Sequence, residues 1–262
     1  MRASIQPPVV LIIAGNDPSG GAGLAADMQA ITALAAHPAP VVTALTVQDT
    51  VNAYQVEAVA AELVHAQAET VLRDMPVAAI KLGLLANAAI GQSVAALLQQ
   101  HRHIPVVLDP VLVAAGGAPL AEQALVVIYL EQLLALATVV TPNAVESRRL
   151  APQAADAAAR AGELLARGAQ HVLVKGADED TPDVRNTFFS QGGSHREFTW
   201  PRLPGNYHGS GCTLASAIAA LIARGYAVPE AVEQAQAYTW KTLQQGWRLG
   251  KGQMIPNRRV MP

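Results

Sequence analysis

The chain has 262 residues, with 18 Lys plus Arg against 20 Asp plus Glu, a formal net charge of −2 and 51% apolar residues, enough to bury a sizeable core. That balance excludes intrinsic disorder as the main state, and it argues against a surface built for nucleic acid or an anionic membrane, which need excess cations. A 4% aromatic content favours packed helix and sheet layers over an aromatic-rich β-sandwich, and one cysteine, Cys212, excludes an intramolecular disulfide. A reducing, cytoplasmic setting is the expectation, since residues 1–8 lack the charged head and apolar run of a secretory signal. Residues 28–48 and 82–100 carry no Asp, Glu, Lys or Arg. The prolines of the first and the amide side chains of the second make both unsuitable as membrane spans.

Short β-rich runs alternate with longer helical patterns at spacings too wide for hairpins, the signature of strand-helix-strand units and a parallel sheet buried on both faces. Strands are predicted over residues 9–14, 41–46, 78–82, 106–109, 138–141 and 171–175. Helices are predicted over 21–36, 57–73, 88–102 and 121–135, with a Pro152-interrupted pair over 143–167. Residues 187–189 and 195–200 flank a Gly192-Gly193 turn and read as a small β-hairpin at the sheet edge. Two more helices follow near 212–224 and 229–246. The reading is one three-layer α/β/α domain over residues 1–262, with loosely held ends at 1–8 and 259–262.

In an open parallel sheet the ligand sits outside the carboxyl ends of the strands, so polar residues just after each strand carry the most functional weight. Ala14-Gly15-Asn16-Asp17-Pro18-Ser19-Gly20-Gly21-Ala22-Gly23 follows the first strand and opens a helix. It matches neither the dinucleotide nor the P-loop fingerprint. Such a turn serves close backbone approach to a ligand or simple packing, and Asp27 lies one turn beyond it. Gln48 follows the second strand, where its amide can pair in two directions with a heteroaromatic edge or sit in a solvated loop. Asp109 ends an apolar strand and reads as a metal or water ligand or as a turn cap. Asn143 and Glu146 share one face of a first helical turn, either as ligands or as a capping box. Lys175 ends a strand as a phosphate partner or a solvated cation.

His208-Gly209-Ser210-Gly211-Cys212-Thr213 precedes an apolar, small-residue helix. Glycines there expose consecutive amides at the positive end of the helix dipole, an anion hole. A thiol at that mouth is expected to be partly ionised near neutrality.

Together with Thr43-Ala44-Leu45, Lys81-Leu82-Gly83 and Thr141-Pro142, these motifs resemble, in order over residues 10–258, the hydroxymethylpyrimidine/phosphomethylpyrimidine kinases of thiamine biosynthesis. The resemblance implies a ribokinase-like fold and transfer of the γ-phosphoryl of ATP, with Mg²⁺, to the hydroxymethyl group of 4-amino-5-hydroxymethyl-2-methylpyrimidine and then to its monophosphate. It implies Cys212 as general base with Gly209, Ser210 and Gly211 supplying amides to the phosphoryl group. Gly15, Asp27, Gln48 and Leu84 would hold the pyrimidine. Asn143, Glu146, Lys175 and Thr213 would serve the nucleotide, with Asp109 and Glu146 toward Mg²⁺. A homodimer is the family-level expectation, and a requirement for a monovalent cation is left open. Leu84 stands where methionine is frequent, Ala177-Asp178-Glu179-Asp180 replaces a familiar glycine and histidine, and Ala114-Ala115-Gly116-Gly117 lacks a nearby lysine. These departures bear on the second phosphorylation more than on the first. A pyridoxine or pyridoxal kinase of the same fold and a non-catalytic pyrimidine-binding regulator are the alternatives. A hydrolase using Cys212 and His208 ranks last, because no orienting acid accompanies them.

Overall fold

A computed structural model describes residues 6–112 and 123–260. The expectations for the extreme ends of the chain, for Ala114 to Gly117 and for the first two residues of the helix over 121–135 lie outside the described residues. The strands are β1 (Val9–Asn16), β2 (His37–Gln48), β3 (Ala53–Ala58), β4 (Val77–Leu82), β5 (Val106–Leu108), β6 (Val139–Val140), β7 (His171–Val174), β8 (Asp183–Ser190) and β9 (His195–Pro201). The helices are α1 (Gly23–Ala33), α2 (Ala61–Asp74), α3 (Ala88–Gln100), α4 (Gln123–Ile128), α5 (Ala144–Leu150), α6 (Ala157–Ala166), α7 (Ser210–Ala223) and α8 (Val228–Gln244).

The strands form one sheet in the order β3-β2-β1-β4-β5-β6-β7-β8-β9. From β2 to β7 the neighbours are parallel, and β3, β8 and β9 run antiparallel at the two edges. The alternation of side chains on β1 sets the layers. Leu11 and Ile13 join the cluster under α2, α3, α4 and α6, while Val10 and Ile12 join the cluster under α1, α7 and α8. Burying each of these side chains contributes about 2 kcal/mol. A continuous apolar strand is therefore the stable choice at the centre of the sheet.

Several boundaries differ from the sequence expectation. β2 begins at His37 despite Pro38 and Pro40, because the His37 N–H bonds Pro8 toward β1 and the two proline nitrogens alternate outward, where β3 does not reach. Residues 53–58, expected as loop and helix start, form edge strand β3, and α2 begins only at Ala61. The hairpin is longer than expected, since β8 starts at Asp183. The helix expected to end at 135 breaks after Ile128 into one π turn (Tyr129–Leu133) and one 3₁₀ turn (Leu134–Leu136).

The segment after α8 folds back across the strand ends. Met254 pairs with Tyr207, Gly252 and Gln253 bond Thr50, and Asn257 bonds Thr242. No helix among the described residues is long and apolar enough to cross a membrane.

Two glycine substitutions separate backbone crowding from helix propensity. At Gly176, after β7, an added Cβ would lie 2.1 Å from the Arg185 carbonyl oxygen, whereas at Gly162, in α6, nothing lies within 4 Å. Gly176→Ala is expected to destabilise by about 1–3 kcal/mol and Gly162→Ala to stabilise by about 0.5–1 kcal/mol in urea unfolding. A shared sign for the two would contradict this packing.

Candidate active site

The β1–α1 loop is built around the Asp17 carboxylate. Its Oδ1 accepts the Ser19 N–H at 2.9 Å, and its Oδ2 accepts the Ala22 N–H at 2.8 Å and the Ser19 hydroxyl at 3.0 Å. Burial raises the pKa of this group, but hydrogen bonds from His208 and Ser19 outweigh that and leave it below the ordinary carboxylate range. The loop before α7 presses onto this turn. Gly209 sits at φ +72°, and an added Cβ would lie 2.0 Å from the Gly21 oxygen. Only glycine permits that approach. Buried Arg258 ties the two loops together, donating from Nε to Thr213 Oγ1 at 2.8 Å and from its terminal nitrogens to the Gly20 and Gly21 carbonyls.

With Gly209 as N-cap, no side chain caps α7. The N–H groups of Ser210, Gly211 and Cys212 therefore lack intrahelical acceptors and remain free for an anion. Cys212 stands half-buried among them. The expected partial ionisation of the thiol is overturned: burial pushes it up to about 11, against a lowering by Lys81. Desolvation of the thiolate is the largest cause, and Asp27 and Asp109 add to it.

Asp27 does not face the cavity. It is fully buried, its Oδ2 2.7 Å from Lys81 Nζ and its Oδ1 accepting the Ser216 hydroxyl at 2.7 Å. Burial works against the Lys81 charge, but Asp27, together with Cys212 and Asp109, outweighs it and holds the ammonium above its ordinary range. The expected direct role of Asp27 at the substrate is corrected to the support of Lys81, which does line the cavity. Thr213 is likewise fully buried and holds Arg258 instead of reaching a ligand.

A second ion pair lies across the floor. Lys175 Nζ donates to Asp109 Oδ1 at 2.9 Å, and Thr141 Oγ1 donates to the same oxygen at 3.1 Å. Burial opposes both charges, and each overcomes it through the other, with the lysine raised and the aspartate lowered. Beside them Asn143 and Glu146 form a complete capping box at α5, each side chain bonding the other's backbone N–H at 2.8 Å. Burial pushes Glu146 up to about 7.

These groups surround a cavity of about 250 Å³ lined by Gly15, Gln48, Leu84, Lys81, Asp109, Asn143, Glu146, Lys175 and Gly209 to Cys212. A second cavity of about 230 Å³ adjoins it, walled by Trp200, Trp240, Val184 and Leu243. Lys175, Asp178, Tyr207, Ser210, Gly211 and Gln253 line both. The expected site residues thus meet at one place, apart from Asp27 and Thr213 beneath it. Sequence reasoning assigned no role to Lys81, Arg258 or Gln253. Lys81 and Arg258 carry a legible signal, a cation within or beside apolar sequence, whereas Gln253 carries none.

The profile described as phosphomethylpyrimidine kinase matches residues 17–257. A hydroxymethylpyrimidine/phosphomethylpyrimidine kinase of Mycobacterium bovis is 39% identical over 254 residues, covering 95% of this chain and 92% of that protein. The protein of the same description from Rhizobium meliloti is 38% identical over 258 residues, covering 94% of each. The pyridoxal kinase of Staphylococcus aureus, solved in complex with AMP-PCP and pyridoxal, superposes with a TM-score of 0.87 at 28% identity, covering 97% of this chain and 94% of that one. The ribokinase-like fold, the motifs in chain order and the match over most of the sequence agree, and the chain belongs to the phosphomethylpyrimidine kinase family, a family of phosphotransferases of thiamine biosynthesis.

Proposed function

We propose that this chain transfers the γ-phosphoryl of ATP to the hydroxymethyl group of 4-amino-5-hydroxymethyl-2-methylpyrimidine and, in a second round, to the monophosphate. The observation that carries this reading is the junction of two cavities at the uncapped end of α7, with Lys175 on both. A kinase needs two reactants held in line with anion-stabilising groups between them. The tryptophan-walled cavity suits a nucleotide base, and the polar cavity with Gln48 and Leu84 suits a small heteroaromatic alcohol.

In this mechanism the hydroxymethyl oxygen forms its bond to the γ-phosphorus while the β–γ bridging bond breaks, and ADP leaves with the electron pair. The amides of Ser210, Gly211 and Cys212 stabilise the equatorial oxygens, and Lys175 offsets their charge. The hydroxyl proton passes to the Cys212 thiolate. Mg²⁺ would lie against Asp109 and Glu146. Among the described residues no three His, Cys, Asp or Glu side chains converge as a closed metal site. Asp109 Oδ2 and Glu146 Oε1 each lack a hydrogen-bond partner among the described residues. Two half-free carboxylates fit an ion that arrives with phosphate and water as its other ligands. When bound, it neutralises phosphate charge. A homodimer would form along the β2–β3 edge, where Leu45, Val47 and Tyr54 are exposed. Sedimentation of the purified chain tests that.

The first test is a coupled ATPase assay with the hydroxymethylpyrimidine, its monophosphate and pyridoxal as acceptors, with products identified by phosphorus NMR. Turnover of both pyrimidines is expected. Preference for pyridoxal would favour the activity named for the Staphylococcus aureus neighbour.

Because the thiol is pushed up to about 11 in the folded protein, above its ordinary value, thiolate is scarce at neutral pH and grows with pH until about 11. Where phosphoryl transfer limits turnover, kcat should rise about tenfold per pH unit from pH 7 to 9. Cys212→Ala should lower kcat by roughly 10²–10⁴-fold and flatten that profile. Iodoacetamide labelling of this single cysteine, followed by mass spectrometry, should climb with the same slope. A labelling plateau near pH 7 would return the thiol to the ionised state that its helix position alone suggests.

Glu146→Gln keeps an oxygen for the Asn143 N–H, so the cap on α5 survives while the charge is lost. The Mg²⁺ concentration for half-maximal rate should rise by about tenfold or more, with the urea midpoint little changed.

A further inference from the structure

His208 has no role in the mechanism above, yet it is only 4% exposed and lines the acceptor cavity. Its ring lies so close to Gly21 that an added Cβ there would come within 2.2 Å of Cδ2. Its Nε2 is 2.8 Å from Asp17 Oδ2 and 2.9 Å from the carboxamide position of Gln48 that carries Nε2 in the structure. Its Nδ1 is buried and has no hydrogen-bond partner among the described residues. Both polar contacts therefore fall on one nitrogen, and a ring nitrogen either donates or accepts.

Asp17 decides which. The carboxylate already accepts from Ser19 and Ala22, and hydrogen bonds hold its pKa below the ordinary range in spite of burial. An ionised carboxylate only accepts, so Nε2 must carry the proton. The other neutral tautomer would oppose two lone pairs at 2.8 Å and bury an Nδ1 proton with no acceptor. The doubly protonated ring would bury the same orphan proton.

This fixes Gln48 as well. The oxygen and nitrogen of a carboxamide exchange places by a half-turn, and the neighbours assign which is which. The single Nε2 proton, shared between Asp17 and Gln48 in a three-centre bond, calls for the half-turn that brings the Gln48 oxygen to His208 and leaves the NH₂ group for the cavity. We infer that His208 is a positioning and specificity-determining residue, which, as the Nε2–H tautomer anchored on Asp17, makes Gln48 a hydrogen-bond donor to an unprotonated ring nitrogen of the acceptor. Gln48 Oε1 stays on the imidazole, where it can also accept an exocyclic amino proton. An acceptor with C–H in place of that ring nitrogen strands a desolvated donor, and a site built for a hydrogen bond rejects such an analogue. This inference deepens the proposed pyrimidine kinase activity, and its substrate half rests on that reading.

Two measurements test it. Nitrogen-15 correlation spectra of the labelled full chain report which imidazole nitrogen bears the proton. The His208 resonances are identified by their loss in His208→Gln or, if that variant does not fold, by their shift in Gln48→Glu. A proton on Nε2 alone is expected, before and after adding the pyrimidine; a proton on Nδ1 would overturn the inference. In kinetics, the aminopyridine isostere that lacks the ring nitrogen beside the amino group should lose about tenfold or more in kcat/KM, mostly in KM. Gln48→Glu, which offers only acceptors, should abolish that discrimination. Equal use of the two rings by the unsubstituted enzyme would overturn the donor assignment. Failure to phosphorylate the pyrimidine at all would sink the proposed activity, while the imidazole spectrum would still decide the tautomer.

Discussion

The end of α7 must remain uncapped, and much of the surrounding structure follows from that constraint. A helix normally satisfies its first amides with a Ser, Thr, Asp or Asn side chain, and losing such a cap costs about 1 kcal/mol. Here Gly209 takes the position with φ +72° and no cap. The loop is held by other means: by contact with the Gly21 backbone, by Arg258 reaching Gly20, Gly21 and Thr213, and by the Met254 carbonyl accepting the His208 N–H at 2.8 Å. The C-terminal segment is therefore part of the site framework. It fixes from outside what a capping side chain would fix from within, and leaves the amides free.

The same logic governs the charges. Lys81 with Asp27 and Lys175 with Asp109 are carried on β4, α1, the β7 exit and the β5 exit, beneath or beside the cavity. Burying such pairs brings little net stability, because desolvation offsets their attraction, while removing one partner costs about 3–5 kcal/mol. What they supply is fixed cationic positions in a site that, in the proposed mechanism, receives a polyphosphate. Pairing keeps each lysine charged in a place where burial alone would neutralise it. Loose transition states in phosphoryl transfer are stabilised chiefly by such preorganised charge.

The apolar runs at β1, β5 and β7 announce a buried parallel sheet, and polar residues directly after them announce the site, so the architecture and most site positions are readable from local pattern. What local pattern misses is decided over long sequence separations. Asp27 looks like a ligand because it follows the glycine loop, but Lys81 and Ser216 claim both its oxygens. Edge strand β3 shows no apolar alternation because neither of its faces is well covered. Pro38 and Pro40 argue against a strand until β2 is known to have an open side at that level. His208 and Asp17 appear as separate motif members 191 positions apart, and their hydrogen bond exists only in the folded chain.

Cys212 shows how two local rules compete. A helix N-terminus favours a thiolate, and the sequence alone supports that half of the argument. The other half comes from tertiary structure, since burial of the thiol penalises its charged form. Lys81 draws the thiol down, and Asp27 and Asp109 push it up. A thiol kept protonated is slow to react with stray electrophiles or oxidants, since the thiolate is the reactive form. Protection of the thiol and, in the proposed mechanism, a low standing concentration of base would thus come from the same burial. In the proposed mechanism the cost falls on turnover at neutral pH, where Cys212 would be drawn as base from a minor population.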